Sequence, residues 1–500
     1  MDSQPAATRP PLLSVRHLQL VVGLLLVFRL AFIFLVEPIG DEAYYWIWGQ
    51  HPELSYFDHP PLNAWLLGLS EKIFGWTVFG LRFPGLLTTL GSVVIFWLWS
   101  RRIEGDRPYI FWLAVAAYFA TPMIGIFSGM MFPDHLLIFL CLWSLYAFSR
   151  FFETWDAGHP AWSHLFHAAF VLGLAALAKY SAVFVGVAVA LHIVLSPIRW
   201  RLLRYWQLYA AALLCLALLA PVIVWNASHG FASFRFHLTE RYGDLIAGSS
   251  LERFGYFVLF AILYIGPFLV VPIIRMLFAR GDRPLPAAGR DLGRLTFLGS
   301  STVFGFLGAN GALPYWNIVA YAALFPHVVR RLGGRLQLVG HLAYGILVIV
   351  LFLVNYAVIP IVHIVGGSDW ESSIVYGWDK IAAHVAEAEA EHRPDFLAAT
   401  RYSLAAQLSF ARGHDDVTNL AASIDQYDFW FDPELHRGQS ALILGNTVLG
   451  IDSDTASRFV SITEVDRFDV MRFGKTLMTY VIYLGLGYGE GPAGLPPKVR

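Results

Sequence analysis

Cysteine is nearly absent from this chain: Cys141 and Cys215 are the two among 500 residues, each inside an apolar run. A disulfide framework and a metal–thiolate cluster are both excluded, and the two thiols read as small core side chains. Charge is scarce as well. Charged residues make up 14% of the sequence and the formal net charge is −1, which argues against a nucleic-acid partner. No P-loop and no GxGxxG motif occurs, so nothing resembles a nucleotide cradle. Internal repeats and low-complexity tracts are missing too. The N-terminal apolar run lacks a small-residue cleavage site after it, so the first span is expected to stay rather than to be removed as a signal peptide.

Apolar residues fill the space these absences leave. They are 57% of the chain and the mean hydropathy is +0.56, the composition of a polytopic membrane protein. Runs near the length that crosses a bilayer, about 20 residues, recur as far as residue 365. They are expected near 17–36, 80–99, 109–126, 134–150, 164–178, 181–197, 206–225, 254–275, 294–310, 315–329 and 338–364, about eleven in all. Leu177 to Ser181, LAKYS, reads as a tight turn or as a break in one longer helix.

Basic residues give the array a direction. With a cytoplasmic N-terminus, inner loops hold Arg101, Arg102, Arg107, Arg199, Arg201, Arg204 and the arginines around the Pro-rich connector 282–291, a bias of roughly three to one over the outer loops. The loop 37–79 then faces outward. After residue 366 polar and apolar residues mix, first with helical periodicity and then in the short strand-like runs PDFLAAT, QSALILG, SRFVSITEV and KTLMTYVIYLGLGY. The fold class expected is mainly α and polytopic: a transmembrane unit over 1–365, followed by a C-terminal extracytoplasmic α/β domain over 366–500.

The residues able to do chemistry gather on the outer face. Asp41 and Glu42 follow the first span at the membrane surface, where desolvation raises the basicity of a carboxylate. Tyr44, Tyr45, Trp46 and Trp48 follow them with rings suited to a headgroup belt or to stacking on a sugar. Asp58 and His59 precede Pro60 and Pro61, which stiffen a polar corner. Arg82 sits at the mouth of the second span, as a snorkelling anchor or a phosphate ligand. Asp134 opens a later span, as a helix cap or a second acid. Lys179 and Tyr180 lie in the thin LAKYS turn, Arg241 and Tyr242 in a long outer loop, and Trp316 and Asn317 at the end of another span. Carboxylates mixed with cations at one membrane surface suit a reaction between a lipid-borne phosphate and a hydroxyl: the cations accept the leaving phosphate and a carboxylate takes the proton.

Gly40-Asp41-Glu42, the stretch YFDHPP from Tyr56 to Pro61, Arg82 near Pro84, Pro133-Asp134, Lys179-Tyr180 and PYWN resemble the glycosyltransferase family 39-like proteins. These are bacterial relatives of protein O-mannosyltransferases and of the aminoarabinose transferase that modifies lipid A. The resemblance implies a GT-C fold with two surface helices in the first loop. It also implies a polyprenyl-phosphate monosaccharide as donor and an acceptor hydroxyl on lipid A or another envelope glycan, lipid or protein, at the bacterial inner membrane.

By the same resemblance Asp41 is the general base of an inverting transfer, Glu42 orients the acceptor and Asp134 is a further acid. Lys179, Arg82 and Arg241 compensate the phosphate. Tyr44, Tyr45, Tyr56, Asp58, His59, Tyr180, Trp316 and Asn317 line the substrate cavity. Aminoarabinose transferases typically carry Glu-Lys where this chain has Asp58-His59, so a fixed positive charge is missing here. No cofactor is expected; the alternative is a divalent-metal site drawn from Asp41, Asp58, His59 and Asp134, whose spacing follows no recognised ligand motif. The alternative function, a transporter or flippase for a lipid-linked saccharide, would place ionisable groups near mid-bilayer. Here they cluster at one face.

Overall fold

The computed structural model describes residues 12–105, 107–241, 247–278 and 287–496; Tyr242 and part of the 282–291 connector lie outside them. Every expected apolar run is helical. Four described helices are long and apolar enough to cross a membrane unaided: Val15–Leu35 (α1), one within Val78–Glu104 (α4), Asp134–Asp156 and Arg335–Ala357. Three sharply bent pairs add spans if each pair is counted as one, and Pro108–Phe119 and Trp162–Ala178 are shorter apolar helices. The expected run 109–126 is broken after Phe119, where Thr121 and Pro122 start a new short helix. LAKYS is a break as well: Lys179 adopts an extended backbone between Ala178 and a 3-10 turn at Tyr180–Ala182.

Local chemistry sets the ends of the first helices. The Ser14 hydroxyl accepts from the His17 amide to open α1, and the Thr77 hydroxyl accepts from the Gly80 amide at 3.0 Å to open α4, each pairing a helix-terminal N–H that has no carbonyl partner. Between α1 and α4 lie two short helices, Gly40–Gln50 (α2) and Leu62–Phe74 (α3), the pair that the resemblance implied.

The strands follow the sequence pattern. They are β1 (Phe396–Ala399), β2 (Val417–Asn419), β3 (Ala441–Asn446), β4 (Ser461–Arg472) and β5 (Lys475–Leu486), in the order β2-β1-β3-β5-β4. The first three run parallel, and β5 lies antiparallel to both β3 and β4. KTLMTYVIYLGLGY is therefore a sheet strand and not a further span, as its β-branched and aromatic residues indicated. β2 was not foreseen; three residues give too little alternation to read.

The sheet is not a separate lobe. One apolar core contains Trp46, Ile47 and Trp48 of α2 together with Leu404, Tyr376 and Tyr480 of the C-terminal part. Hydrogen bonds fasten the same junction. Glu37 accepts from the Gly377 and Trp378 amides, both at 3.0 Å, and so caps the helix Trp378–His392. The Gln407 side-chain amide donates to the Pro38 carbonyl at 2.9 Å. Gly40 permits the contact: a Cβ there would stand 2.7 Å from the Cβ of Ser403. The start of α2 is thus pressed against the helix Tyr402–Arg412, and that contact brings C-terminal side chains to Asp41.

Candidate active site

Asp41 and Glu42 occupy the first turn of α2 and point into different surroundings. Glu42 has no exposed surface. Its oxygens accept from Arg82 Nε at 3.1 Å and Nη2 at 2.6 Å, from the Met131 amide at 3.1 Å and from the Ile39 amide at 3.2 Å. Arg82, also fully buried, donates further to the carbonyls of Phe32, Ile33, Val36 and Glu37 at the end of α1. Two expectations are corrected here. Arg82 has no donor left for a lipid phosphate and Glu42 none of its oxygens for an acceptor, because each is saturated by the other and by backbone. Together they clamp α1, α2 and α4.

Asp41 is only partly buried. Tyr402 donates to its Oδ1 at 2.9 Å, and Oδ2 has no hydrogen-bond partner among the described residues. Burial raises its pKa above the usual carboxylate value, against the opposing pull of Tyr402, Arg401 and Arg241. Such a carboxylate is the better base for its surroundings.

Asp58 and His59 are held by residues from three segments. Tyr44 donates to Asp58 Oδ2 at 3.1 Å and accepts from the Gln426 amide at 2.7 Å. Burial pushes the Asp58 pKa up to about 6, opposed by Arg241 and Tyr44. His237 Nε2 lies 2.7 Å from the Asp58 carbonyl oxygen, and its Nδ1 lies 3.0 Å from Arg241 Nη1. A carbonyl can only accept, so Nε2 carries the proton and Nδ1 accepts from the guanidinium. Burial and the Arg241 charge hold His237 down at about 3, which keeps that tautomer. His59 is buried beside Tyr45 and His237. Burial first, then Arg241 and Lys179, lowers its pKa, so His59 is a neutral imidazole and does not replace the missing lysine charge.

Lys179 and Asp134 were assigned separate roles, but the structure joins them. Lys179 Nζ donates to both Asp134 oxygens, at 2.9 and 2.8 Å, and both residues are buried. An ammonium has three hydrogens, so one remains for a ligand. Arg241 lies over the Trp316 ring at 4.3 Å, and its Nε and Nη2 meet no acceptor among the described residues. Tyr180 hydrogen-bonds with Ser233 at 3.0 Å and meets the His237 ring edge-on.

Two other expected cavity residues are packing elements. Tyr56 is fully buried, stacks on Trp48 and donates within its own loop to the Trp48 and His51 carbonyls. Asn317, also fully buried, accepts from Ser300 at 2.6 Å and donates to Ser301 at 3.0 Å, joining the helices Ala287–Gly308 and Ile318–Val328. Tyr402, Gln426 and His237 were missed. Tyr402 and Gln426 sit more than 350 residues from their partners in the first loop, and no local pattern announces such a contact. Among the described residues no group of three or more His, Cys, Asp or Glu is placed to hold a metal ion.

The site therefore consists of Asp41 with Tyr402, Asp58 with Tyr44, the relay His237–Arg241, and the pair Asp134–Lys179. Arg241 reaches several of these groups through its charge. The backbone trace that carries them matches crystal structures of ArnT from Cupriavidus metallidurans. The TM-score is 0.62 for the apo state and 0.60 for the form bound to undecaprenyl phosphate, at 14% and 17% identity, over 94% of this chain and 98% of that one.

This chain has the ArnT fold.

Residues 58–225 match the family described as dolichyl-phosphate-mannose-protein mannosyltransferase. Among curated proteins the chain is 26% identical to the lipid A galacturonosyltransferase RgtD of Rhizobium johnstonii, over 39% of this chain and 40% of that protein. It is 29% identical to an undecaprenyl phosphate-alpha-4-amino-4-deoxy-L-arabinose arabinosyl transferase of Pseudomonas aeruginosa, over 34% of this chain and 32% of that protein. The aligned parts thus span well under half the length of these relatives. The resemblance read from the acidic pair and the Pro-Pro loop holds, and with it the helical membrane fold carrying a small C-terminal sheet.

Proposed function

We propose that this protein is an inverting glycosyltransferase. It moves a monosaccharide from a polyprenyl-phosphate donor to a hydroxyl of lipid A or another envelope glycan, lipid or protein, on the extracytoplasmic face of the bacterial inner membrane. The observation that carries the reading is Asp41, a partly exposed carboxylate of raised basicity that feels the charge of Arg241, the same guanidinium that acts on Lys179 of the Asp134–Lys179 pair. The relative RgtD, a lipid A galacturonosyltransferase, supports the lipid A acceptor. The ArnT complex with undecaprenyl phosphate supports the donor. The basic bias of the inner loops supports the orientation.

Asp41 Oδ2 takes the proton of the acceptor hydroxyl as that oxygen attacks the anomeric carbon. The bond from this carbon to the phosphate oxygen breaks, and the polyprenyl phosphate leaves with the electron pair. Arg241 and the remaining hydrogen of Lys179 receive the charge that develops on it. One displacement without a glycosyl-enzyme inverts the anomeric centre. Donor lipid, acceptor and side chains suffice for this scheme, so no cofactor is proposed.

The test is transfer from undecaprenyl phosphate-linked sugars to lipid A by the purified protein in lipid nanodiscs, read by mass spectrometry. Asp41→Asn should lower the rate by about 10²–10⁴-fold, the range for loss of a general base, while thermal unfolding stays near that of the parent. Undiminished turnover in this variant would remove the base assignment.

A further inference from the structure

β4 and β5 are joined by a two-residue turn, since Arg472 pairs with Lys475. Phe473 and Gly474 form it with φ of 49° and 72°, the positive values of a type I′ hairpin. Gly474 suits its position, and the favoured residue before it is Asn or Asp. A bulky phenylalanine at positive φ is strained, and here its ring gains nothing from the protein interior: Phe473 is 73% exposed. Met471, on the same tip, is 49% exposed. A strained, exposed aromatic beside an exposed methionine calls for an apolar environment outside the protein.

The position of the tip says what that environment is. Lys475 Nζ donates to the carbonyls of His363 and Ile364, just beyond the membrane-crossing helix Arg335–Ala357. Ile364 and Val365 are themselves exposed, at 56% and 82%. On the other side, Met471 and Arg472 border a cleft with Glu37, just past the end of α1, and with Trp76, Thr77 and Val78 at the start of α4. The hairpin end therefore stands level with the ends of three membrane-crossing helices. Phe34 and Leu35, at the end of α1, are exposed as well. Arg472 and Lys475 flank the aromatic, the arrangement of a segment seated at the headgroup boundary.

We propose that the β4–β5 turn, Met471 to Lys475, is a bilayer anchor: Phe473 and Met471 enter the lipid at the headgroup–acyl boundary and hold the sheet on the membrane surface beside the site. The occupant is lipid because the tip borders the ends of the spans, and both the tip and those ends carry exposed apolar side chains. This inference rests on the membrane fold and is independent of the reaction proposed above.

The full-length protein in phosphatidylethanolamine/phosphatidylglycerol nanodiscs carries an environment-sensitive fluorophore on Phe473→Cys or, separately, Met471→Cys, with labelling of the parent protein subtracted. Spin-labelled phospholipids serve as quenchers. The expected result at both positions is a blue-shifted emission with quenching comparable to that at Phe34→Cys, while a label at Leu435→Cys, exposed on the sheet domain, stays water-like. Water-like emission at both tip positions overturns the anchor. So does a blue shift without lipid quenching, which would mean that protein covers the turn. Loss of sugar transfer with quenching intact would count against the reaction and leave the anchor standing.

Discussion

Glu42 gives both carboxylate oxygens to Arg82 and two backbone amides with no surface exposed, whereas Asp41, one residue earlier, gives one oxygen to Tyr402 and the other to no partner among the described residues. Both sit in the first turn of α2, where the helix dipole favours negative charge equally, so the dipole does not separate them. The helix rotation does. It turns Glu42 toward α1 and α4 and Asp41 toward the C-terminal helix Tyr402–Arg412. A saturated ion pair organises the fold and an unsaturated carboxylate remains available for chemistry. The same contrast distinguishes the two cations: Arg82 has no free donor, while Arg241 Nε and Nη2 meet no acceptor among the described residues.

The largest effect that sharpens this contrast is on folding. Arg82→Ala leaves the Glu42 carboxylate buried without its cation, and breaking a buried pair from one side costs about 3–5 kcal/mol. The expected outcome is a sharp fall in thermal stability and in yield from membranes, measured by unfolding in detergent. A stable Arg82→Ala protein that had merely lost donor affinity would return Arg82 to the phosphate site. Next in size is Lys179→Ala. Removing a charge-assisted hydrogen bond to a phosphate costs about 1.5–3 kcal/mol, so donor binding should weaken about 10- to 100-fold. Because Asp134 is stranded as well, Lys179→Ala is compared with Lys179→Ala/Asp134→Asn. Restored stability without restored donor binding would separate the two roles of the lysine.

The same contrast marks how far the sequence could be read. Apolar runs located the helices because a bilayer requires their length, and short strand-like runs between turn-rich stretches located β1, β3, β4 and β5. Asp41, Asp134, Lys179 and Arg241 were legible as one group because sidedness alone puts them on one face. What the sequence could not give is saturation. Arg82 was taken for a ligand because nothing local shows that Glu42 and four carbonyls already occupy it. Asn317, in PYWN, looked equally polar and proved to be a rivet between helices. Tyr402 and Gln426 came into the site through the contact of Gly40 with Ser403, a tertiary event across more than 350 residues with no periodic trace.

Asp58 offers a smaller, pH-resolved test. Its folded pKa of about 6 lies above the ordinary 3.8, so between these values the folded state holds a proton that the unfolded chain has released. Stability therefore falls as pH rises from about 4 to about 6 and is level beyond. Asp58→Asn should remove this slope and raise stability at pH 7 by up to about 3 kcal/mol, read from unfolding midpoints between pH 4 and 8. An unchanged slope would place the ionisation on another carboxylate, with Asp41 the first to examine.

The finest distinction concerns Tyr402, whose hydroxyl stabilises ionised Asp41. Tyr402→Phe removes one hydrogen bond to a charged group and leaves the ring in place against Tyr44, so about 1 kcal/mol is at stake. Because the lost bond favoured the carboxylate, the Asp41 pKa rises further, and the acidic limb of the pH–rate profile should move to higher pH by somewhat less than about one unit. On the alkaline plateau of the profile the rates should converge. A uniform loss of rate at every pH would instead mean that the Tyr402 hydroxyl touches the substrate. The open face of the first turn would then be shared between Asp41 and a residue from the sheet domain, and the division between a structural Glu42 and a chemical Asp41 would extend across the interface that Gly40 makes possible.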